Sequence, residues 1–152
     1  MAVYEIVKNE NPVLREVAKP IQHVDEVALR LLANLRDTLN NTETGVGLAA
    51  PQIGISKRAI VVDDGETHLE MINPEIVEYS KETIDDWEGC LSVPGETGLV
   101  ERAYKVKARY YDEKGRHLEI EAEDFLARII QHEVDHLNGI LFIDKAKRIK
   151  KD

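Results

Sequence analysis

The 152-residue sequence predicts one α+β domain, residues 1–152, in which antiparallel strands and hairpins pack around a buried C-terminal helix. Three observations carry that expectation. The chain is long enough for one sizeable core and too short for two comfortable ones. Its middle alternates apolar and polar side chains with the period of two that marks strands. Its last helical pattern, Phe125 to Leu137, has so wide an apolar arc that it belongs inside the fold.

Residues 1–22 hold Asn11-Pro12 and Lys19-Pro20 with little periodicity, which predicts an extended arm with a turn or short helical piece around Val13 to Ala18. Val24, Val27, Ala28, Leu31, Leu32, Leu35 and Leu39 then recur at intervals of three and four, the stripe of an amphipathic core helix, with Asp25 near its start and Asn40-Asn41 near its end. Thr44 to Gly54 is rich in small residues and lacks a helical stripe. It reads as a tight loop in which Gly45 and Gly47 permit close approach and Gln52 brings an amide with two donors. Its spacing is not that of a phosphate-binding loop.

Arg58 to Asp63, Asp64-Gly65 and Thr67 to Ile72 read as a β-hairpin, closed by Asn73-Pro74, with a further short strand over Glu75 to Tyr79. Asp86 to Gly95 holds the only cysteine and the only tryptophan. Val100, Arg102, Tyr104, Val106, Ala108 and Tyr110 alternate with polar neighbours as one strand, and Asp112 to Gly115 turns it back into Leu118, Ile120 and Ala122, a long hairpin. Asp124 suits a helix N-cap and Gly139 a helix stop. Ile140 to Ile143 is expected as a final extended piece, followed by a solvated basic tail from Lys145 to Lys151. His23, His68 and His117 lie in polar contexts and read as solvated.

Composition narrows the class. With 43% hydrophobic and 32% charged residues the chain is an ordinary globular protein, and no apolar run approaches the roughly 18 residues of a membrane span. A net charge of −9 argues against a DNA binder held by overall attraction, so neither membrane nor DNA is an expected partner. The first residues, Met1 to Lys8, lack the pattern of an export signal, and the expected compartment is the cytoplasm. A single cysteine, Cys90, excludes an internal disulfide and suits a reducing environment.

The chemistry begins at Gln131-His132-Glu133-Val134-Asp135-His136. His132 and His136 stand one turn apart on one helix face, so both imidazoles reach a single metal ion, with Glu133 beside them. Such an ion lowers the pKa of a bound water, and a carboxylate outside its coordination sphere carries the proton. A solvated helix face would also tolerate two histidines at this spacing, but the wide apolar arc buries this helix and holds its histidines inside the fold, which weighs against that reading. A third ligand is needed, and the chain offers the thiolate of Cys90 or a carboxylate such as Glu88. Three protein ligands leave the open position of a catalytic site.

Gly45-Val46-Gly47-Leu48-Ala49-Ala50-Pro51-Gln52, Glu88-Gly89-Cys90-Leu91-Ser92 and Gln131-His132-Glu133-Val134-Asp135-His136 resemble the three signature motifs of the peptide deformylases, in that family's order and at its usual separations. Pro12-Val13-Leu14-Arg15 extends the resemblance over nearly the whole chain. It implies a metal-dependent hydrolase that removes the formyl group from N-formylmethionyl nascent peptides and releases formate. It also implies a metal held by Cys90, His132 and His136 with water as fourth ligand. Fe2+ would be the native ion, Zn2+, Ni2+ or Co2+ alternatives, and oxygen sensitivity a consequence. Glu133 would be general base and then acid, while the Gln52 amide and the Leu91 backbone N–H would donate to the oxyanion.

The residues agree with those roles. Gly45 and Gly47 on one side and Gly89 on the other let an extended peptide lie against backbone as an added strand. Val46, Phe125 and Ile129 are candidates for the methionine slot, and Arg102 is expected to pair with Asp135, fixing the metal helix against the Cys90 segment. Asp86-Trp87 before the second motif and Arg128 near the pocket, where some relatives are apolar, depart from the best-known pattern. Some relatives carry a longer C-terminal helix implicated in ribosome docking; here only Lys145, Lys147, Arg148, Lys150 and Lys151 offer a ribosome contact. Two other classes share the helix motif. A zinc endopeptidase predicts a ligand downstream of the helix, where only Asp144 and Asp152 remain as acids, and a non-catalytic metal-binding protein would use the same ligands for stability.

Overall fold

Ala59-Ile60-Val61-Val62 is apolar at four consecutive positions, a pattern that only a strand covered on both faces tolerates. In the computed structural model, which describes residues 2–152, this segment is strand β2 (Ala59–Asp63). Ala59 and Val61 face helix α1 (Glu26–Asn40), while Ile60 and Val62 face helix α2 (Asp124–Leu137). Two cores therefore lie on opposite sides of one sheet.

That sheet is antiparallel, with strand order β1 (Gly47–Ala49), β2, β3 (His68–Tyr79), β6 (Lys105–Tyr111), β7 (His117–Glu123). A second antiparallel sheet, β4 (Thr83–Cys90), β5 (Val93–Ala103), β8 (Arg148–Lys151), packs with the short helix α3 (Phe142–Lys145) and a 3-10 turn at Pro12–Arg15 around Leu14, Val93, Val100, Leu141 and Phe142. Helix α2 touches strands of both sheets and is buried at ten of its fourteen residues. The architecture is a single α+β domain organised around that helix.

Helix α1 starts where expected, with the Asp25 carboxylate accepting from the Ala28 N–H at 3.0 Å. Its buried stripe is Ala28, Leu31, Leu32, Leu35 and Leu39; Val27, expected on the stripe, is 70% exposed. Elsewhere the structure corrects the sequence reading. The supposed loop at Thr44–Gly54 contains β1 and a 3-10 turn, Ala50–Ile53. Asn73-Pro74 does not end a strand. Asn73 takes a left-handed conformation (φ 52°), exchanges two 2.8 Å hydrogen bonds with the Ile21 backbone, and β3 continues through a bulge in which Pro74 needs no donor.

The predicted strand from Val100 to Tyr110 is two strands in different sheets, separated at Tyr104. From Val100 onwards both bury their even-numbered side chains, so the alternation runs through the corner unchanged and hides it. Thr83 to Cys90 forms β4, an element the sequence reading did not assign. Asp124 is the first helical residue rather than a side-chain cap. Ile140–Ile143 is not extended, since Phe142 opens α3; the tail is solvent-exposed as expected, but Arg148–Lys151 is not irregular chain, since it pairs with Glu96–Leu99 as β8.

Gly139 ends α2 as predicted, at φ 74°, and a β-carbon there would lie 2.6 Å from the Arg15 carbonyl oxygen. Left-handed geometry and a backbone contact both penalise a side chain. Gly139→Ala is therefore expected to destabilise the fold by about 2–3 kcal/mol, read as a fall in the urea midpoint with unchanged slope.

Candidate metal centre and active site

Two periodicities meet at the site. Residues two apart on a strand share a face and lie about 6.6 Å apart, while residues four apart on a helix lie about 6 Å apart along its axis. Glu88 and Cys90 on β4 therefore match the Arg128, His132 and His136 row of α2 almost rung for rung. Glu88 contacts Arg128 and His132, and Cys90 Sγ lies 3.4 Å from His136 Nε2. Trp87 and Gly89, between and beside them on β4, line the same cavity.

Glu88 is the hub. Its Oε2 accepts from Arg102 Nε at 2.9 Å and Arg128 Nη1 at 2.6 Å, and its Oε1 from Arg102 Nη2 at 3.0 Å and His132 Nδ1 at 2.8 Å. Burial alone would raise its pKa, but hydrogen bonds from His132 and Arg102 reverse the effect and hold the carboxyl well below the usual range. An ionised Glu88 fixes the His132 tautomer and turns the other ring nitrogen towards Cys90. Arg102 also donates to Asp135 Oδ2 at 2.6 Å, and Lys145 reaches the same carboxylate at 3.0 Å. Arg128 Nη1 and Nη2 donate to the carbonyls of Val100 and Ile84 at 2.9 and 2.6 Å, joining α2 to β5 and β4.

Cys90, His132 and His136 present donor atoms all within 4.8 Å of one another, the one such group among the described residues. Thiolate plus two imidazoles is a donor set for zinc or another late first-row ion, and three ligands leave a position open. Burial lowers the pKa of His136, and the charge of His132 lowers it further, keeping it neutral. Burial also opposes charge on His132, but its hydrogen bonds to Cys90 and Glu88 prevail and raise its pKa to about 10. A cation bound there takes the place of that proton. Burial pushes the Glu133 carboxyl up to about 7, and its Oε1 is buried without a hydrogen-bond partner. The donor set fits a metal, and Glu133 lines the cavity beside it with that oxygen unpartnered.

Gln52 is oriented from its own turn. Its Oε1 accepts from the Ala49 N–H at 2.9 Å, which turns Nε2 towards Ser92 Oγ (3.1 Å) and Cys90 Sγ (3.6 Å). Leu91 lies in the two-residue turn between β4 and β5. Gly47 is needed for a contact inside the protein, because a β-carbon there would sit 2.7 Å from Glu133 Oε2.

A cavity of about 400 Å3 opens over this group. Its walls include the predicted residues Gly45, Val46, Gly47, Gln52, Gly89, Cys90, Leu91, Phe125, Ile129, His132 and Glu133. His136 lies behind it, 1% exposed, and Arg102 and Asp135 stand outside it, bound to each other. Phe125, placed by the sequence on a buried face, is half exposed at the mouth, whereas Ile129 is buried. Glu88, which the sequence offered as a possible ligand, is engaged instead with His132 and two arginines. The spacing to Cys90 carried that signal, since strand alternation puts residues 88 and 90 on one face. Arg128 carried a like signal, since it stands four residues before His132 on the same helix face. His68 is paired with Glu70 at 2.7 Å and His117 stacks on Tyr111; neither approaches the metal donors.

Residues 3–152 match the family model described as polypeptide deformylase. A peptide deformylase from Carboxydothermus hydrogenoformans is 55% identical over 149 residues, 98% of this chain and 97% of the relative. The chain belongs to the polypeptide deformylase family. Among deformylases of solved structure, that of Thermotoga maritima aligns with a TM-score of 0.93 at 42% identity, covering 97% of this chain and 100% of that one. A class I type b peptide deformylase from Acinetobacter baumannii, bound to Met-Ala-Ser, aligns at 0.90 with 39% identity, covering 95% and 98%. Membership makes the chain a metal-dependent hydrolase of protein biosynthesis that acts on formylated nascent peptides, and sets aside the endopeptidase and non-catalytic alternatives. Among the described residues no helix is long and apolar enough to cross a membrane.

Glu88→Gln places an amide donor against the donors of this deformylase site and leaves buried positive charge without its counterion. It is expected to destabilise the fold by about 3 kcal/mol or more in urea unfolding and to weaken Zn2+ binding about tenfold to a hundredfold in competition with a chelator.

Proposed function

We propose that the chain hydrolyses the formyl–nitrogen bond of N-formylmethionyl nascent peptides in the cytoplasm, with Cys90, His132 and His136 holding one divalent ion and Glu133 carrying the proton. The observation that supports this most directly is the buried, unpartnered Glu133 Oε1 beside a compact set of three donors at the floor of the cavity. When bound, the ion supplies Lewis acidity, polarising the formyl oxygen and making water a nucleophile near neutral pH. Fe2+ is the proposed native ion, and Zn2+, Ni2+ or Co2+ suit the same donors.

Glu133 accepts the proton from the attacking water and returns it to the departing amine nitrogen, so that one water and one formamide yield formate and a free amino terminus. Burial raises the pKa of this carboxyl, which strengthens it as the base. Gln52 Nε2, already aimed past Cys90, donates to the oxyanion together with the Leu91 N–H as the formyl carbon becomes tetrahedral. Both donors are set before substrate arrives, Gln52 by the Ala49 N–H and Leu91 by the β4–β5 turn.

The peptide lies between two sheet edges. Strand β1 is the outer strand of one sheet and β4 of the other, and Gly45, Gly47 and Gly89 sit along the cavity they flank. Backbone hydrogen bonds to an added strand bind peptides with little demand on sequence. Val46, Phe125 and Ile129 receive the methionine side chain, and Arg102 with Asp135 holds α2 against β5. A ribosome contact through the basic tail would draw mainly on Arg148 and Lys151, because Lys145 pairs with Asp135, Lys147 with Asp85, and Lys150 lies 4.0 Å over the Trp87 ring.

Protein purified without oxygen and loaded with Fe2+ is expected to release formate from formyl-Met-Ala-Ser. Cleavage of an internal bond, or no turnover with metal bound, overturns the reading. Glu133→Ala is expected to keep its metal while turnover falls by about 100-fold or more; activity near wild type removes Glu133 from the mechanism.

A further inference from the structure

The two-residue turn between β4 and β5 carries more than Leu91. Its second residue, Ser92, is fully buried and is not among the residues that line the cavity, so its side chain stands behind the site rather than in it. A serine in a turn commonly satisfies its hydroxyl on backbone a few residues away. Here the partner, among the described residues, is a side chain forty residues earlier: Gln52 Nε2 donates to Ser92 Oγ at 3.1 Å.

A side-chain amide has two N–H hydrogens that diverge within one plane. Gln52 Oε1 is held by the Ala49 N–H at 2.9 Å, and Ser92 takes one Nε2 hydrogen. The amide plane is thereby held at both ends, and the second hydrogen is left on the side of Cys90, whose Sγ lies 3.6 Å from Nε2 beside the cavity. With Ala49 alone the amide is tethered by its oxygen and rocks about that contact. Gln52 is 1% exposed, so an Nε2 hydrogen deprived of Ser92 is almost shut off from water and is drawn to the remaining acceptor, the Cys90 sulfur.

We infer that Ser92 is a positioning residue for the hydrolysis: by occupying one hydrogen of the Gln52 amide it aims the other at the formyl oxygen, a conclusion that rests on the deformylase reading above. One turn then sets both oxyanion donors, Leu91 through its own N–H and Gln52 through the Ser92 hydroxyl. Aim of this kind acts where charge builds on the oxygen in the transition state and leaves binding of the ground-state peptide alone.

The test is a double-mutant cycle on kcat and KM for formyl-Met-Ala-Ser, using Fe2+-loaded wild type, Ser92→Ala, Gln52→Ala and the double variant. Deleting an oxyanion donor costs about 100-fold or more in kcat, and spoiling its aim costs less, so Ser92→Ala is expected to lower kcat about tenfold with KM within about twofold of wild type. In the Gln52→Ala background the same change is expected to cost under about twofold, because no amide is left to aim. A kcat loss under about threefold in Ser92→Ala, or a loss of equal size in both backgrounds, overturns the inference; the second result makes Ser92 a packing residue. A readout that needs no turnover is NMR hydrogen exchange of the Gln52 side-chain amide in the Zn2+-loaded protein. Its protection is expected to fall about tenfold in Ser92→Ala while the Leu91 backbone amide and the Zn2+ affinity stay within about threefold of wild type. Equal protection in the two proteins, or none in wild type, overturns the inference. Should Ser92→Ala not fold, Ser92→Gly takes its place in both measurements. Failure of wild type to release formate overturns the deformylase reading instead, and the exchange measurement still decides whether Ser92 holds the amide.

Discussion

Glu88 is an ionised carboxylate almost wholly removed from water, a state tolerated only where positive charge and hydrogen-bond donors surround it. Arg102 from β5, Arg128 from α2 and the His132 ring meet that requirement together. The same contacts tie three elements to one point. A side chain that needs several partners thereby fixes the distance and rotation of α2 against the second sheet, and with them the approach of Cys90 to the two histidines. The architecture around the metal donors is in this sense a consequence of solvating one buried charge.

Helix α2 carries two of the three candidate metal donors and is buried at ten of its fourteen residues. Its Ala127, Ile130, Val134 and Leu137 fill the core against the five-stranded sheet, while Arg128, His132 and His136 face β4. A helix packed on both sides has little freedom to rotate, which suits a site whose donors must converge to within a few ångströms. Both β1 and β4 are edge strands, and residues flanking them line the cavity.

The C-terminal strand shows how tertiary context changes the meaning of charge. In isolation, Lys145 to Lys151 looks like a solvated basic run. Folded, it forms the edge of the second sheet, and Lys145, Lys147 and Lys150 find Asp135, Asp85 and Trp87. Through Lys145 and Asp135 the tail is connected to Arg102, and so to the Glu88 hub.

Much of this protein follows from local pattern. The α1 stripe, the Asp64-Gly65 hairpin, the β6–β7 hairpin, the buried last helix and its glycine stop are set by periodicity and turn chemistry, which act over a few residues and are visible there. The juxtaposition of His132 and His136, with Glu133 beside them, was legible for a related reason: a helix places residues four apart on one face whatever surrounds it. Only the tertiary structure decided where Val100–Tyr110 changes sheets, that Asn73-Pro74 is a bulge inside a strand, that the tail becomes β8, and that Glu88 supports a ligand and Arg128 is buried beside it. Those outcomes depend on contacts between segments tens of residues apart, chiefly the pairing of β4 with β5 and the partners of one buried carboxylate, and no local periodicity records such partners.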